Sequence, residues 1–299
     1  MENLALLNLP DEILHMTVCG GMARVLLLRT TAMTRDAAQI HQPSDTAMAA
    51  MSRLMTATSM LGCMMKGEKD SVTVTVAGNG PAGKMTCVAN GTKVKIAPQN
   101  PQVELPLKQD GHLDVGGYIG HEGRLTVIKD LGLKEPYVGQ CQLVSGELGE
   151  DFANYYTTSE QKPSIVALGC LVNNGICLSA GGALIQPLPG CPDDVLDLLE
   201  IRAMFFTSIS REVAEEPLED LATKWFDGMD LKILEKESVS YQCDCSREKM
   251  EKALIAMGRR DLNELIEEDE GAELTCQFCR TSHQFTKEDL ISLMERATR

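Results

Sequence analysis

The chain has 299 residues, 43% hydrophobic and 24% charged, so it reads as a folded protein of about two domains rather than a disordered one. Asp and Glu number 43 against 28 Lys and Arg, a net charge of −15 that repels nucleic-acid phosphates, and no basic patch offsets it beyond Arg259-Arg260. No run of about 18 apolar residues is present to span a membrane. The start, Met-Glu-Asn-Leu-Ala-Leu-Leu, carries acid where a secretory signal carries Lys or Arg, so a cytoplasmic location is expected.

Taken in chain order, Ser44 and Asp45 are suitable N-caps for a helix running to about Met65, with Met48, Met51, Leu54 and Met55 at helical spacing. Six methionines lie between Met48 and Met65, and they serve either core packing, the commoner use, or an adaptable apolar surface. Residues 71–77 alternate as a strand. Lys84–Val88 and Thr92–Ile96 flank Asn90-Gly91, a strong hairpin signal. Arg124–Lys129 is a further alternating strand, Gly146–Thr158 reads as a helix, and Ile165–Leu171 and Ile176–Leu178 read as strands about Asn173-Asn174-Gly175. After Pro187-Leu188-Pro189-Gly190 come two helical runs, the first presenting Val195, Leu198, Leu199 and Ile201, the second spanning Leu218–Trp225 behind Pro217. Their apolar stripes are narrow, so they gain stability by docking on a neighbour rather than from propensity.

Charge divides the chain into three zones. Residues 1–190 carry 17 acids against 14 bases, residues 191–240 carry 13 against 5, and residues 241–299 carry 13 against 9. The expected class is α+β: a mixed-sheet body with packed helices over 1–186, an acidic helical linker over 187–240, and a small zinc-bound α+β domain over 241–299.

Eleven cysteines without an export signal suit metal ligation or redox chemistry better than a disulfide framework. Cys243-Asp244-Cys245 and, after thirty intervening residues, Cys276-Gln277-Phe278-Cys279 form two close pairs, the pattern that a tetrahedral zinc site requires. Four sulfur ligands leave no open position for water or substrate, so the site is structural rather than hydrolytic. Around it, Ser246 caps a helix over Arg247–Met257, Asp261–Glu267 forms a second, and Thr286-Lys287-Glu288-Asp289 opens a last helix bearing Leu290, Ile291 and Leu293. So small a domain is marginal by burial alone, and zinc could contribute on the order of 10–16 kcal/mol to its folding. A permanent strut is one reading of the site. A redox-labile site is the other: a Cys-x-Cys disulfide closes a small strained ring that is readily reduced again, and thiolates can remain nucleophilic toward oxidants. The other seven, Cys19, Cys63, Cys87, Cys141, Cys170, Cys177 and Cys191, read mostly as buried, inert thiols, a second redox site being the minor alternative.

With these residues in view, the chain resembles the redox-regulated 33-kDa heat-shock chaperonin family. The likeness extends beyond the thiols to Gly123–Tyr137, Ser145-Gly146-Glu147, Asp151, Tyr155-Tyr156, Ser159-Glu160-Gln161, Gly181–Gln186 and Leu188-Pro189-Gly190, essentially the whole chain. It implies a chaperone that is inactive while Cys243, Cys245, Cys276 and Cys279 hold one Zn²⁺ per chain. It further implies that oxidation forms Cys243–Cys245 and Cys276–Cys279 disulfides, that zinc leaves, and that the linker and tail lose structure. A homodimer then holds unfolding client proteins without ATP until cellular thiol reductants and refolding chaperones take them over. Two positions depart from the family pattern: Arg280 and His283 stand where Asn and Tyr are expected. His283, four residues past Cys279, is a conceivable but inferior substitute ligand.

Two other functions compete with this expectation. One is a thiol–disulfide oxidoreductase using Cys276 and Cys279, although Thr275 rather than Trp precedes the pair. The other is a zinc-ribbon adaptor whose metal is constant. Gly-x-Ser-x-Gly is absent and the five histidines show no metal-ligand spacing, so no catalytic residues are assigned and an enzyme is not expected.

Overall fold

The computed structural model describes residues 9–267 and 271–296; residues 1–8 and 297–299, the outer ends of the first and third expected sections, lie outside the described residues. The chain falls into two compact units divided between Gln242 and Cys243. The fold class is α+β.

The first unit opens with β1 (Glu12–Val18) and β2 (Ala23–Arg29), then α1 (Thr31–His41) and α2 (Asp45–Cys63). Next come β3 (Ser71–Gly78), β4 (Lys84–Asn90), β5 (Lys93–Pro98), α3 (Val115–Ile119), β6 (Gly123–Asp130), β7 (Tyr137–Gln142) and α4 (Gly149–Thr158). The long hairpin β8 (Ile165–Asn173) and β9 (Ile176–Pro187) follows. After it come α5 (Asp193–Ala203), a 3₁₀ turn over Met204–Ser208, α6 (Ile209–Glu215), α7 (Leu218–Trp225), β10 (Lys232–Ser238) and the short β11 (Ser240–Tyr241). One sheet has the order β10-β1-β2-β9-β8 and is antiparallel throughout. The other has the order β11-β5-β4-β3-β6-β7 and is mixed only through the parallel β11–β5 pair.

Helix α2 packs against both sheets, so it is buried around nearly its whole circumference rather than along one stripe. Met48, Met51, Met55 and Met60 are core residues, which settles the use of these four. The hydroxyls in this helix need acceptors, and they find them one turn back: Thr56, Thr58 and Ser59 donate to the carbonyls of Ser52, Leu54 and Met55 at 2.7–2.9 Å. Ser44 caps the helix by accepting from the Ala47 N–H at 3.1 Å. Gly62 lets the helix meet the β4–β5 turn, where a Cβ would lie 2.5 Å from the Gly91 carbonyl oxygen.

Several residues of the family-like stretches form internal polar networks. The buried Asp151 carboxylate accepts from the N–H groups of Val144 (2.6 Å), Ser145 (3.2 Å) and Leu148 (2.9 Å), pinning the loop before α4. Glu160 pairs with Lys129 at 2.6 Å and accepts from the Tyr155 hydroxyl at 2.6 Å. Glu147 pairs with Arg53 at 2.5 Å and with Lys108.

The stretch after β9 folds back on the first sheet. Strands β1 and β2 turn Ile13, Leu26 and Leu28 toward α2, and Leu14, Met16, Val25 and Leu27 to the opposite face. That face is covered by Leu199, Phe206, Ile209, Val213, Leu221 and Trp225. The Phe206 ring lies 4.6 Å from that of Trp225, whose Nε1 donates to Glu212 at 2.9 Å. Arg29, 2% exposed, fixes the α6–α7 corner: it donates to the carbonyls of Val213 (2.6 Å) and Glu216 (2.7 Å) and pairs with Glu12 at 3.6 Å. The helical expectation for 187–240 needs one correction. Its last part is strand β10, paired with β1 across a register shift at His15/Met16. Being an edge strand exposed along almost its whole length, it carries no alternation of buried residues to mark it in sequence.

The second unit contains α8 (Arg247–Met257), α9 (Arg259–Glu267), the hairpin β12 (Gly271–Thr275) and β13 (Ser282–Thr286), and α10 (Lys287–Arg296). Ser246 caps α8 by accepting from Lys249 N–H at 3.3 Å, and Thr286 and Asp289 cap α10 reciprocally at 3.0 and 3.3 Å. Its apolar core is small: Leu254, Leu262, Ile266, Phe285, Leu290 and Leu293. Ile291, expected on the same face, is exposed instead.

Truncating Leu221, fully buried under α7, should cost about 2–5 kcal/mol. Trp225 is the only tryptophan and is 2% exposed, so the urea midpoint of its fluorescence in Leu221→Ala, compared with wild type, reads the loss of connector docking directly.

Candidate metal centre

Each half of the centre is held by local structure. Cys243 and Cys245 immediately precede the Ser246 cap of α8, so the cap geometry that starts the helix also fixes the second thiol. Cys276 and Cys279 lie in the turn joining β12 to β13. There the Cys276 N–H donates to the Thr281 carbonyl at 2.9 Å and the Arg280 N–H donates to the Cys276 carbonyl at 2.8 Å. The turn is closed by Arg280 in the left-handed region, φ 59°.

All four Sγ atoms lie within 4.8 Å of one another. Cys243 and Cys276 are 3.7 Å apart, and Cys245 and Cys279 are 3.3 Å apart. Tetrahedral ligation with metal–sulfur bonds of about 2.3 Å sets sulfurs about 3.8 Å apart, so the cluster has dimensions that fit a single ion. Cys276 is buried at 6% exposure and the other three are half-buried. His283 is not in the group; it lies on β13 opposite Leu274.

The four thiols are not equivalent. Burial pushes Cys243 up to about 11, and burial together with the Cys279 and Cys243 thiols raises Cys245. Burial also opposes ionisation of Cys279, but the Thr281 hydroxyl 3.3 Å away, the Thr281 N–H and the neighbouring thiols bring it down to about 6. The surroundings of this turn therefore favour the thiolate form of Cys279.

The remaining seven cysteines are spread through the first unit. Cys87, Cys141 and Cys177 are buried; Cys19, Cys63, Cys170 and Cys191 are half-buried. Burial raises Cys63 and Cys87 to about 12 and Cys141 to about 11. Cys170 and Cys177, on adjacent strands, have their sulfurs 3.8 Å apart. A second mixed group went unseen in sequence. His15, Cys63 and Glu237 also bring ligand atoms within 4.8 Å of one another, and because they come from β1, α2 and β10, no spacing could have signalled it.

Comparison with known proteins agrees along the whole chain. The family model described as "Hsp33 protein" matches residues 11–286. The 33 kDa chaperonin of Clostridium perfringens (strain SM101 / Type A) is 46% identical over 289 residues, covering 95% of this chain and 92% of that protein. The 33 kDa chaperonin of Alkaliphilus metalliredigens (strain QYMF) is 43% identical over 288 residues, covering 95% and 99%. The crystal structure of the 33 kDa chaperonin (heat shock protein 33 homolog) from Thermotoga maritima superposes with a TM-score of 0.87 at 30% identity, covering 97% of this chain and 99% of that one.

Arg280 occupies a left-handed position that Asn adopts with less strain. Arg280→Asn should therefore stabilise the turn by up to about 1 kcal/mol. The check is the urea concentration at which the metal-loaded full chain surrenders its ion to a chromogenic chelator, which should rise.

Proposed function

Because the chain belongs to the Hsp33 family, we propose that it is a redox-regulated, ATP-independent holdase of the cytoplasm, inactive when reduced and activated by oxidation of Cys243, Cys245, Cys276 and Cys279. The observation that carries this reading is the convergence of the four sulfurs in a unit with little apolar core of its own. An all-sulfur donor set suits zinc, one ion held by these four cysteines in each reduced chain. When bound, zinc supplies the closure that the tail's own burial does not and keeps its ligands as thiolates.

What the chain's own residues do can be followed step by step. A thiolate of the cluster, with Cys279 favoured by its Thr281 neighbours, attacks an oxidant such as hydrogen peroxide. The thiolate sulfur takes one peroxide oxygen to become a sulfenic acid, and a hydroxide leaves. A second thiol displaces that oxygen as water and forms the disulfide. Each disulfide thus removes two electrons from two thiols, and one peroxide becomes two waters. The family likeness favours pairing along the chain, Cys276 with Cys279 and Cys243 with Cys245. Such a bond within Cys-x-Cys is strained and easily reduced, so cellular thiols can reset it.

With four ligands gone, six buried apolar residues are left to hold the tail. The connector, ending at β11 and Gln242 next to Cys243, then comes free of the first sheet. That exposes Leu14, Met16, Val25, Leu27 and Ile185, a continuous apolar face suited to unfolding clients. The connector's own net charge of about −8 keeps the opened protein, which dimerises, soluble. Reduction and refolding chaperones then release the client. Binding rather than catalysis is the function, and the turn between β12 and β13 supports this. A thiol oxidoreductase places its Cys-x-x-Cys at a helix start, whereas here it joins two strands.

The test is aggregation of a chemically denatured client enzyme diluted into reduced or peroxide-treated protein under mild heat. Oxidised protein should suppress light scattering at near-equimolar ratio while the four-cysteine site gives up its zinc; reduced, zinc-loaded protein should not. Equal scattering with both forms sinks the proposal, and turnover in an insulin-reduction assay would replace it with the oxidoreductase.

A further inference from the structure

The geometry points to a second transition-metal site in the first unit, built from His15, Cys63 and Glu237 and suited to Zn²⁺. His15 Nε2 lies 3.1 Å from Glu237 Oε2, and one ligand atom from each of His15, Cys63 and Glu237 lies within 4.8 Å of the other two. The donor set is one imidazole nitrogen, one sulfur and one carboxylate oxygen. Three such ligands of mixed type, with a fourth position left to water, are what zinc takes up in open tetrahedral sites. Two atoms bonded to one ion at about 2.0–2.1 Å in a tetrahedron stand about 3.3 Å apart, close to the nitrogen–oxygen separation seen here.

Three further observations favour an ion over a plain ion pair. His15 Nε2 is buried, and although Glu237 is near it, the approach does not have hydrogen-bond geometry, so this nitrogen's bonding capacity is unspent. The charges of Glu237 and Glu235 both bear on Cys63, an acidic surrounding that a divalent cation would neutralise. His15 stands directly opposite Glu235 in the β1–β10 pairing, where a register shift begins, and such irregularities re-aim side chains. The side chains of His15 and Glu237 remain 18% and 35% exposed, so the site is open to an arriving ion.

The placement has a consequence for the connector. Its ligands come from β1, from the last residue of α2 and from β10. An ion there would tie the connector's edge strand to the two elements it lies beside, with one sulfur in place of four. The site itself stands on this geometry and does not depend on the redox reading; only its effect on connector release does.

The experiment uses the reduced full-length chain and zinc alone. Zinc bound per chain is counted by competition with a chromogenic chelator and by elemental analysis, for wild type, His15→Gln and Glu237→Gln. Cobalt substitution supplies the second readout, since a four-thiolate site and a one-thiolate site differ in charge-transfer intensity. Wild type is expected to bind two ions. Each variant should bind one, or hold the second at least about 100-fold more weakly, with the four-thiolate cobalt spectrum unchanged. Glu237→Gln, on an exposed edge strand, decides the matter where His15→Gln fails to fold. One ion in wild type, or two in both variants, would overturn the site and leave an ion pair only. Neither result bears on client binding by the oxidised protein, which is scored separately.

Discussion

Four sulfurs meeting in a small volume constrain everything around them. Cys243 and Cys245 are delivered by the start of α8, Cys276 and Cys279 by the β12–β13 turn, and the chain between them contains two helices and a strand, with an apolar core of six buried side chains among the described residues of the unit. Such a core cannot offset the ordering entropy of its residues with any margin. Helix caps at Ser246 and Thr286 and the Arg247 guanidinium, 4.3 Å above the Phe285 ring, contribute, but each is worth about 1 kcal/mol. In the second unit, little apolar burial therefore stands beside the four-sulfur cluster.

The first unit is built on the opposite principle. Helix α2 is enclosed by two sheets, and its hydroxyls are satisfied within the helix. Asp151 and Glu160 spend buried carboxylates on backbone and side-chain donors that lock the loops around α4. Between the two lies the connector, apolar on its inner side and acidic on its outer, held by Trp225, Phe206 and the Arg29 clamp. A densely packed body, a stretch docked on its first sheet and a tail with a small core thus follow one another along the chain.

How much of this was legible in sequence follows from where each residue is buried. Strands β3 to β6 bury one face, so Val72, Val74 and Val76 alternate with polar neighbours and the pattern is plain. The caps at Ser44, Ser246 and Thr286, and the Asn90-Gly91 turn, act through local chemistry and were equally readable. Strands β1 and β2 bury apolar residues on both faces, so Ile13-Leu14 and Val25–Leu28 follow one another with no two-residue period to detect. Strand β10 is buried on neither and fails for the opposite reason. The four-cysteine centre was visible because each pair is local, whereas His15, Cys63 and Glu237 are joined only by tertiary folding.

Burial sets several thiols of the first unit apart from Cys279. An oxidant reacts with thiolate, and a thiol held at about 12 presents only about one thiolate in 100,000 molecules at pH 7. Cys63 and Cys87 are in that position, and Cys141 is close to it. Cys279, brought to about 6 by the Thr281 donors of its turn, is mostly ionised under the same conditions. The same desolvation that raises Cys63, Cys87 and Cys141 acts on Cys279 as well, but there it is outweighed by the Thr281 hydroxyl and N–H and the neighbouring thiols. The turn that completes the four-sulfur cluster thus also favours the thiolate form of one of its members.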